Sequence, residues 1–501
     1  MKKTRSFPQP IPILMAVIVL AAICTWLLPA GEYNKLSVVE KKSFVMSTTS
    51  GDVVLPFTQQ TLDSLGLLIP LEKFSNGDVL KPVSVPGTYK RLERNPQNLI
   101  NILQAPVKGV YDSIDIILFV LIIGGFIYVF NETKAIEKGV SYLAYKMKGR
   151  EPSLMIILII AFALGRATYG MEEEALAFYP ILVPLFLTAG YDLLVPLAII
   201  FGGNSVGGIA AFANPFSTII ASNAAGINWM DGIYARLILM MVATALLIWY
   251  VLRYAAKVKK DPSASLVYKI DGAVKPGFEV NINSDIIPGK LSLKTKLLLL
   301  LFLSSFLMMI GGVMILKWWT LEMSALLVAC SILVAILVRM NEKTFMHVFM
   351  KGAESLLSVA FIIGVARGIT IILNEGKISD SILYYTAGVV NHLPPALFIL
   401  LLMVFFFFFT FFISSSSGMA VLTMPIMGAL AIIINIPGNQ IVNAYLFGTN
   451  LMYFITPTST VLPSLALVNV SLKTWLRFIM PLLIILFILC AVFLIAGLYL
   501  R

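Results

Sequence analysis

Histidine is nearly missing from this chain, which has two in 501 residues, His347 and His392, beside three cysteines. That supply leaves no transition-metal centre to propose. It also leaves no base for nucleophilic chemistry inside the apolar segments. The stretch ISSSSGM (413–419) resembles the setting of an intramembrane serine protease, but neither histidine lies in an apolar run at hydrogen-bonding depth. Cys24, Cys330 and Cys490 all fall in apolar segments, so no disulfide framework is expected. The glycine-rich GGNSVGG (202–208) lacks the lysine of a phosphate loop. The expectation is a protein that is not an enzyme.

Charge is scarce too. Only 13% of residues are charged while 59% are hydrophobic, which excludes an ordinary soluble globule and indicates a polytopic membrane protein. Long apolar runs recur from 11–28 to 478–500 with no alternating β pattern. Several suffice to cross about 30 Å of hydrocarbon as helices, and only helices or closed barrels satisfy their backbones in lipid. The net charge of +11 does not point to nucleic acid, because the basic residues cluster between hydrophobic segments, at KKTR, 131–151 and 253–296. The positive-inside rule puts these in the cytoplasm, so the chain is expected in the cytoplasmic membrane with its N-terminus inside. LLPAGEY is a poor cleavage site, and 1–28 is expected to remain as a first transmembrane helix.

The polar stretches divide the chain. Residues 29–113 form an outward-facing polar insertion with strand content around 43–55, and 253–296 a basic cytoplasmic loop. Across that loop the sequence repeats at an offset near 243. GFIYVFNETKAI (125–136) lies over GITIILNEGKIS (368–379), and Pro152 falls on Pro395. With a two-residue gap GMEEEALAFYPILVPL lies over SSSSGMAVLTMPIMGAL, FGGN (201–204) over FGTN (447–450), and NPFST (214–218) over TPTST (456–460). Repeat 1 is 114–252, with a re-entrant hairpin 153–189 and a broken helix 193–222. Scaffold helices 297–338 follow. Repeat 2 is 352–472, with hairpin 395–433 and broken helix 441–470, and 473–501 is the last helix. Placing every strongly basic short loop inside gives the two repeats opposite orientation, as alternating-access carriers require.

Polar residues gather at the two hairpin tips and the two breaks. A tip or break at membrane depth frees backbone groups that lipid cannot satisfy, and the same groups can hold a substrate or small cation. The candidates at the tips are Glu172, Glu173 and Glu174, then Ser414, Ser415, Ser416, Ser417 and Gly418. At the breaks they are Asn204, Ser205, Asn214, Ser217 and Thr218, then Thr449, Asn450, Thr456, Thr458, Ser459 and Thr460. Pro215 and Pro457 remove backbone donors and free carbonyl oxygens, which suit sodium near Asn204, Asn214, Asn450 and Thr456; proton coupling or simple exchange stays open. Arg367, within IIGVARGITII, is a buried-charge candidate for a substrate carboxylate or for one of the glutamates. Plainer readings stand beside these: close helix packing for Gly203 and Gly207, back-bonded serines, acids solvated at the interface with Arg166 as partner, and a packing ion pair for Arg367. Three consecutive acids lie about 100° apart on a helix, so not all can line one pocket.

WLLPAGEY (26–33), PGTYKRLERNPQNLINILQAPVKGVYDSIDIILFVLIIGGF, GMEEEALAFYPILVPL, KKDPSASLVY and FFISSSSGMAVLTMPIM resemble the YfcC-type carriers. These are related to the DcuC-type anaerobic C4-dicarboxylate carriers and the arginine–ornithine antiporters of the ion transporter superfamily. The resemblance spans nearly the whole chain. It implies a homodimer in which a scaffold holds a transport domain of two hairpins and two broken helices, moving as an elevator. The fold expected is thus an all-α, inverted-repeat transporter. The function expected is secondary transport of amino acids, basic ones foremost because of the acidic triplet, as an exchanger or an ion-coupled carrier. The alternatives are a sodium- or proton-coupled C4-dicarboxylate carrier and, in another class, a channel or receptor on the same fold. Segment 36–85 is longer than the resemblance leads one to expect.

Overall fold

The computed structural model describes residues 10–39, 42–75, 82–146, 149–267, 291–316, 318–390, 393–413, 415–433 and 436–499. Ser414, His392, the N-terminal KKTR and much of the 253–296 loop lie outside them. Helix α1 (Pro10–Leu27) leads into a β module of β1 (Gly31–Glu32), β2 (Lys35–Val39), β3 (Ser43–Thr48) and β4 (Gly51–Pro56). Short helices α2 (Gln59–Ser64) and α3 (Leu71–Ser75) precede β5 (Val83–Ser84) and β6 (Lys90–Arg91). Then come α4 (Leu99–Asp112), α5 (Ile114–Glu132), α6 (Ala135–Lys146), α7 (Glu151–Thr168) and α8 (Tyr179–Thr188). The next crossing is built in pieces: α9 (Leu194–Leu197), a π turn (Ala198–Gly202), α10 (Gly203–Ile209), a second π turn (Pro215–Ile219) and α11 (Ile220–Ala224). Helix α12 (Ile233–Lys260), α13 (Leu293–Leu316) and α14 (Thr320–Val338) follow. The chain ends with α15 (Glu342–Ser355), α16 (Leu357–Glu375), α17 (Ser379–Val390), α18 (Pro395–Thr410), α19 (Ser416–Ile433), α20 (Gly438–Tyr453), α21 (Val461–Val468) and α22 (Leu472–Tyr499). Among the described residues α5, α7, α12, α14, α16 and α22 are long and apolar enough to cross a membrane.

The series α4–α12 recurs as α15–α22. Helices α4 and α15 each have 14 residues, α5 and α16 have 19, α6 and α17 have 12, and α12 and α22 have 28. Even the backbone exceptions recur: Lys134 and Lys377, each just past the end of its helix, share a left-handed φ of 56°. The halves interlock reciprocally, with α4 packed on α16 and α15 on α5. Glycine permits this approach. A Cβ at Gly109 would lie 2.2 Å from the Gly364 carbonyl oxygen, and one at Gly352 2.3 Å from that of Gly124. Such an exchange of helices between halves is what a two-fold relation between repeats produces.

The all-α expectation needs correction at the polar insertion. There β2–β5 form one antiparallel sheet in the order β4-β3-β2-β5, and β1 pairs with β6. KLSVV and SFVMST carry β-branched residues, and each buries one side chain, Leu36 and Phe44, which suits half-buried strands. Phe44 is buried at the centre of a small core, with ring centroids 4.8 Å from Phe57 and 5.2 Å from Phe74. Behind the sheet the module is tied to the start of α17: Asp380 accepts the Tyr33 N–H at 2.9 Å, and Tyr89 stacks on Tyr384 at 4.0 Å. Burial first, and then the Asp380 carboxylate, push the Tyr33 hydroxyl far above the ordinary phenol range, so it stays neutral. The last part of the insertion, α4, belongs with the helical halves.

Overpacking the helix exchange tests its importance. Gly109→Leu and Gly352→Leu should each lower stability by roughly 1–3 kcal/mol or more. Gly311→Ala, where a Cβ meets nothing within 4 Å, should be neutral or slightly stabilising. Thermal unfolding of the detergent-solubilised protein decides, and equal melting of all three variants would refute the interlock.

Candidate functional site

Helix α7 ends at its last polar turn, and the chain reverses at Gly170 with φ of 88°. A side chain there is excluded twice, by the dihedral and by Phe216 and Asn214, which a Cβ would meet at 2.7 and 3.0 Å. The first tip is thereby pressed against the first break. Asn214 joins the two. Its Nδ2 donates to the Arg166 carbonyl at 2.9 Å, and its Oδ1 accepts the N–H groups of Phe216 and Ser217 at 2.8 and 3.2 Å. The Ala213 N–H reaches the Ala167 carbonyl at 3.1 Å, and the Thr218 hydroxyl the Ala211 carbonyl at 2.7 Å. Every one of these bonds satisfies a backbone group that the interruption frees. The two π turns flank the same site, where such bulges often mark function.

The second break is built alike with different side chains. Thr456 and Thr458 bond to each other at 2.8 Å, and Thr458 donates to the Thr410 carbonyl at 3.4 Å, as Asn214 does to Arg166. Ser459 donates to the carbonyls of Tyr453 and Thr456 at 2.8 and 3.0 Å. Thr460 precedes α21 without a side-chain cap bond. Ser205 is buried in α10, and Thr449 faces the Met419 sulfur at 3.7 Å.

Charge concentrates at the first tip. Arg166 forms a salt bridge with Glu172, and their side chains are 6% and 23% exposed. The arginine also donates to the Met171 carbonyl at 3.2 Å and lies 5.8 Å from the Tyr453 ring centroid. Glu174 is buried and accepts the Glu172 N–H at 2.8 Å, so its carboxylate shapes the tip. Glu173 is half-buried and takes part in no salt bridge among the described residues. One cation thus faces three carboxyl groups. Asn204 donates to the Met171 carbonyl and Asn450 to the Leu446 carbonyl, both at 2.9 Å, which leaves their Oδ1 atoms to accept. The Asn450 Oδ1 crowds Gly208, where a Cβ would also meet Arg166 at 3.4 Å.

The second tip reaches the first break at Phe216. Ser416 offers its carbonyl to the Tyr445 hydroxyl at 2.7 Å, and its own hydroxyl points to the Phe216 carbonyl at 3.4 Å. Ser415 accepts the Gly418 N–H at 3.1 Å, closing the turn into α19. Ser417 lies in the first turn of α19. Arg367 does not join the glutamates. Its Nε bonds Asp112 at 2.5 Å, across the contact of α16 with α4. Sequence reasoning named Arg166 only as a possible partner and passed over Tyr445, Tyr453 and Asp112. The available signal was an arginine inside the apolar run LIIAFALGRATYG, a costly position unless it is paired.

Residues 7–499 match the family described as DcuC, C4-dicarboxylate anaerobic carrier. An uncharacterized protein of Haemophilus influenzae is 38% identical over 483 residues, 96% of this chain and 94% of that one. The putative basic amino acid antiporter YfcC of Escherichia coli is 26% identical over 519 residues, covering 99% of this chain and 97% of its own. Among solved structures, the YdaH transporter of Alcanivorax borkumensis aligns over 98% of both chains at 13% identity and a TM-score of 0.40.

Removing one member of the buried pair should cost more than removing a cap. Arg166→Met strands Glu172 and should destabilise by about 3–5 kcal/mol, much of which Arg166→Met with Glu172→Gln recovers. Asn214→Ala should cost about 1–2 kcal/mol. Melting in detergent checks the order, and an Arg166→Met protein as stable as the parent would remove the pair from the core of the tip.

Proposed function

The chain belongs to the C4-dicarboxylate anaerobic carrier family, and we propose that it is a secondary carrier of amino acids, basic ones foremost. The observation that supports this reading is the tip itself: three carboxyl groups with one arginine, and Glu173 in no salt bridge among the described residues. A solute ammonium or guanidinium offers a partner to Glu173, while the hydroxyl-rich second tip suits its carboxylate. Exchange or ion coupling drives the cycle. Where sodium couples, the Oδ1 atoms of Asn204 and Asn450 are better placed as ligands than Asn214, whose Oδ1 already caps the π turn. The Thr456 hydroxyl is engaged with Thr458.

In this reading the hairpins and broken helices move as a unit against the scaffold, in a homodimer in the cytoplasmic membrane, with the N-terminus and basic loops inside. The reciprocal packing of α4 with α16 and α15 with α5 supports inverted repeats. Dicarboxylate transport is the second reading, favoured by the family's description and by an arginine at the centre of the cluster.

Uptake into proteoliposomes, screened over amino acids and C4-dicarboxylates with and without sodium, separates the two. Arginine, ornithine or lysine should accumulate; accumulation of succinate or fumarate alone overturns the proposal. Glu173→Gln should raise KM for cationic solutes about tenfold, equivalent to ~1.4 kcal/mol, and spare neutral ones. Replacing Ser415, Ser416 and Ser417 together by alanine should abolish uptake while leaving the folded protein intact.

A further inference from the structure

A cavity of about 400 Å³ opens between the β module and the second half of the chain, a size that suits a small molecule. Its floor includes Ser415 and Gly418 of the second tip. Its walls carry Glu32 and Lys35 from the module, Asp112 from α4, and Arg367, Lys377 and Asp380 from the α16–α17 region. Among the described lining residues positive and negative charges balance, and all are paired: Lys35 with Asp380 at 2.9 Å, Lys377 with Glu32 at 2.6 Å, and Arg367 with Asp112 at 2.5 Å. A balanced wall has no net field for a dianion or a dication. A ligand that carries both signs close together can engage both.

The three pairs are not equally available. Asp380 is 8% exposed and also holds the Tyr33 N–H, so the Lys35 pair is a seam of the module. The Lys377–Glu32 pair sits beside the bond from the Gly31 N–H to the Lys377 carbonyl at 2.9 Å, a second seam. Arg367 is different. Only its Nε is used, and its two terminal nitrogens bond to nothing among the described residues. Asp112 is 50% exposed and engages Arg367 through one oxygen. A part-exposed pair of this kind contributes little to stability, so a ligand can take over either member at little cost. The Arg166–Glu172 pair is far more buried and cannot be exchanged so cheaply.

We propose that this vestibule is an α-amino-acid docking site separate from the central cluster, in which Arg367 receives the carboxylate and Asp112 the ammonium. The two groups of an α-amino acid sit on one carbon, as the two side chains face each other across one contact. The planar guanidinium fork suits a carboxylate held by two hydrogen bonds. The β module completes the site by walling it, which gives the enlarged insertion a role in solute access. The proposal rests on the reading of the chain as a solute carrier.

Cysteine protection tests it on the full-length protein in detergent. Ile371→Cys, on the cavity wall one helical turn from Arg367, is introduced with Cys24→Ala, Cys330→Ala and Cys490→Ala, and its labelling by a maleimide is timed. Millimolar L-arginine and L-alanine should each slow labelling about fivefold, the effect of a ligand at about four times its Kd. Succinate should not. Arg367→Gln and Asp112→Asn should each abolish the protection while the unliganded labelling rate is retained; Lys35→Gln should leave it. A cysteine that does not label, protection by neither amino acid, equal protection by succinate, or equal loss in Lys35→Gln overturns the assignment. Uptake measured in parallel keeps the two readings apart. Protection without arginine uptake sustains the vestibule and sinks the carrier proposal, and uptake without protection does the reverse.

Discussion

A helix interrupted inside an apolar protein leaves backbone donors and acceptors that lipid cannot satisfy, and the organisation of this chain follows from how that demand is met. Asn214 is the principal answer in the first half. One amide caps the π turn that follows it and reaches back to the carbonyl of Arg166. The break is therefore fastened to the end of α7, and the end of α7 is where the arginine and the glutamates are. Satisfaction of the backbone and assembly of the charged cluster are one arrangement. In the second half Thr458 performs the equivalent bond to Thr410, and hydroxyls replace the amide.

The duplication explains why there are two such places, and its imperfection explains why they differ. The lengths of α4, α5, α6 and α12 are kept in α15, α16, α17 and α22, as are the left-handed residues at Lys134 and Lys377. The side chains at the tips are not kept. One tip carries a paired arginine and three acids; the other carries serines, of which Ser415 accepts the Gly418 N–H and Ser416 points its hydroxyl at the Phe216 carbonyl. In the proposed carrier, a solute held between them would meet charge on one side and neutral hydroxyls on the other. The β module adds a third environment, since it brings Glu32 and Lys35 to a cavity whose floor is the second tip.

Much of the helical architecture was legible in the sequence, because helices in lipid must be long and apolar and their interruptions must be polar. The polar knots, the offset near 243 and the matching NPFST and TPTST segments were visible for that reason. The β module was legible only as some strand content around 43–55, since short strands in a polar segment carry a weak alternation; the sheet needs β5, more than 25 residues beyond β4, to be complete. Among candidate residues, the acids and serines were found by their improbability in an apolar run. Tyr445 and Tyr453 were missed because aromatic residues in such a run carry no signal of their own.

Composition and spacing by themselves determined a helical membrane protein with paired polar interruptions, since the bilayer imposes those requirements on any sequence that crosses it; the carrier reading came from the family resemblance. The tertiary structure alone decided partnership. Arg166 belongs to Glu172, six residues away around a tight turn, and Arg367 belongs to Asp112, 255 residues away. No local pattern distinguishes these two arginines, both of which interrupt apolar helices. Their partners are chosen by which helix ends the packing brings together, and that depends on glycine contacts such as Gly109 against Gly364, between residues far apart in the chain.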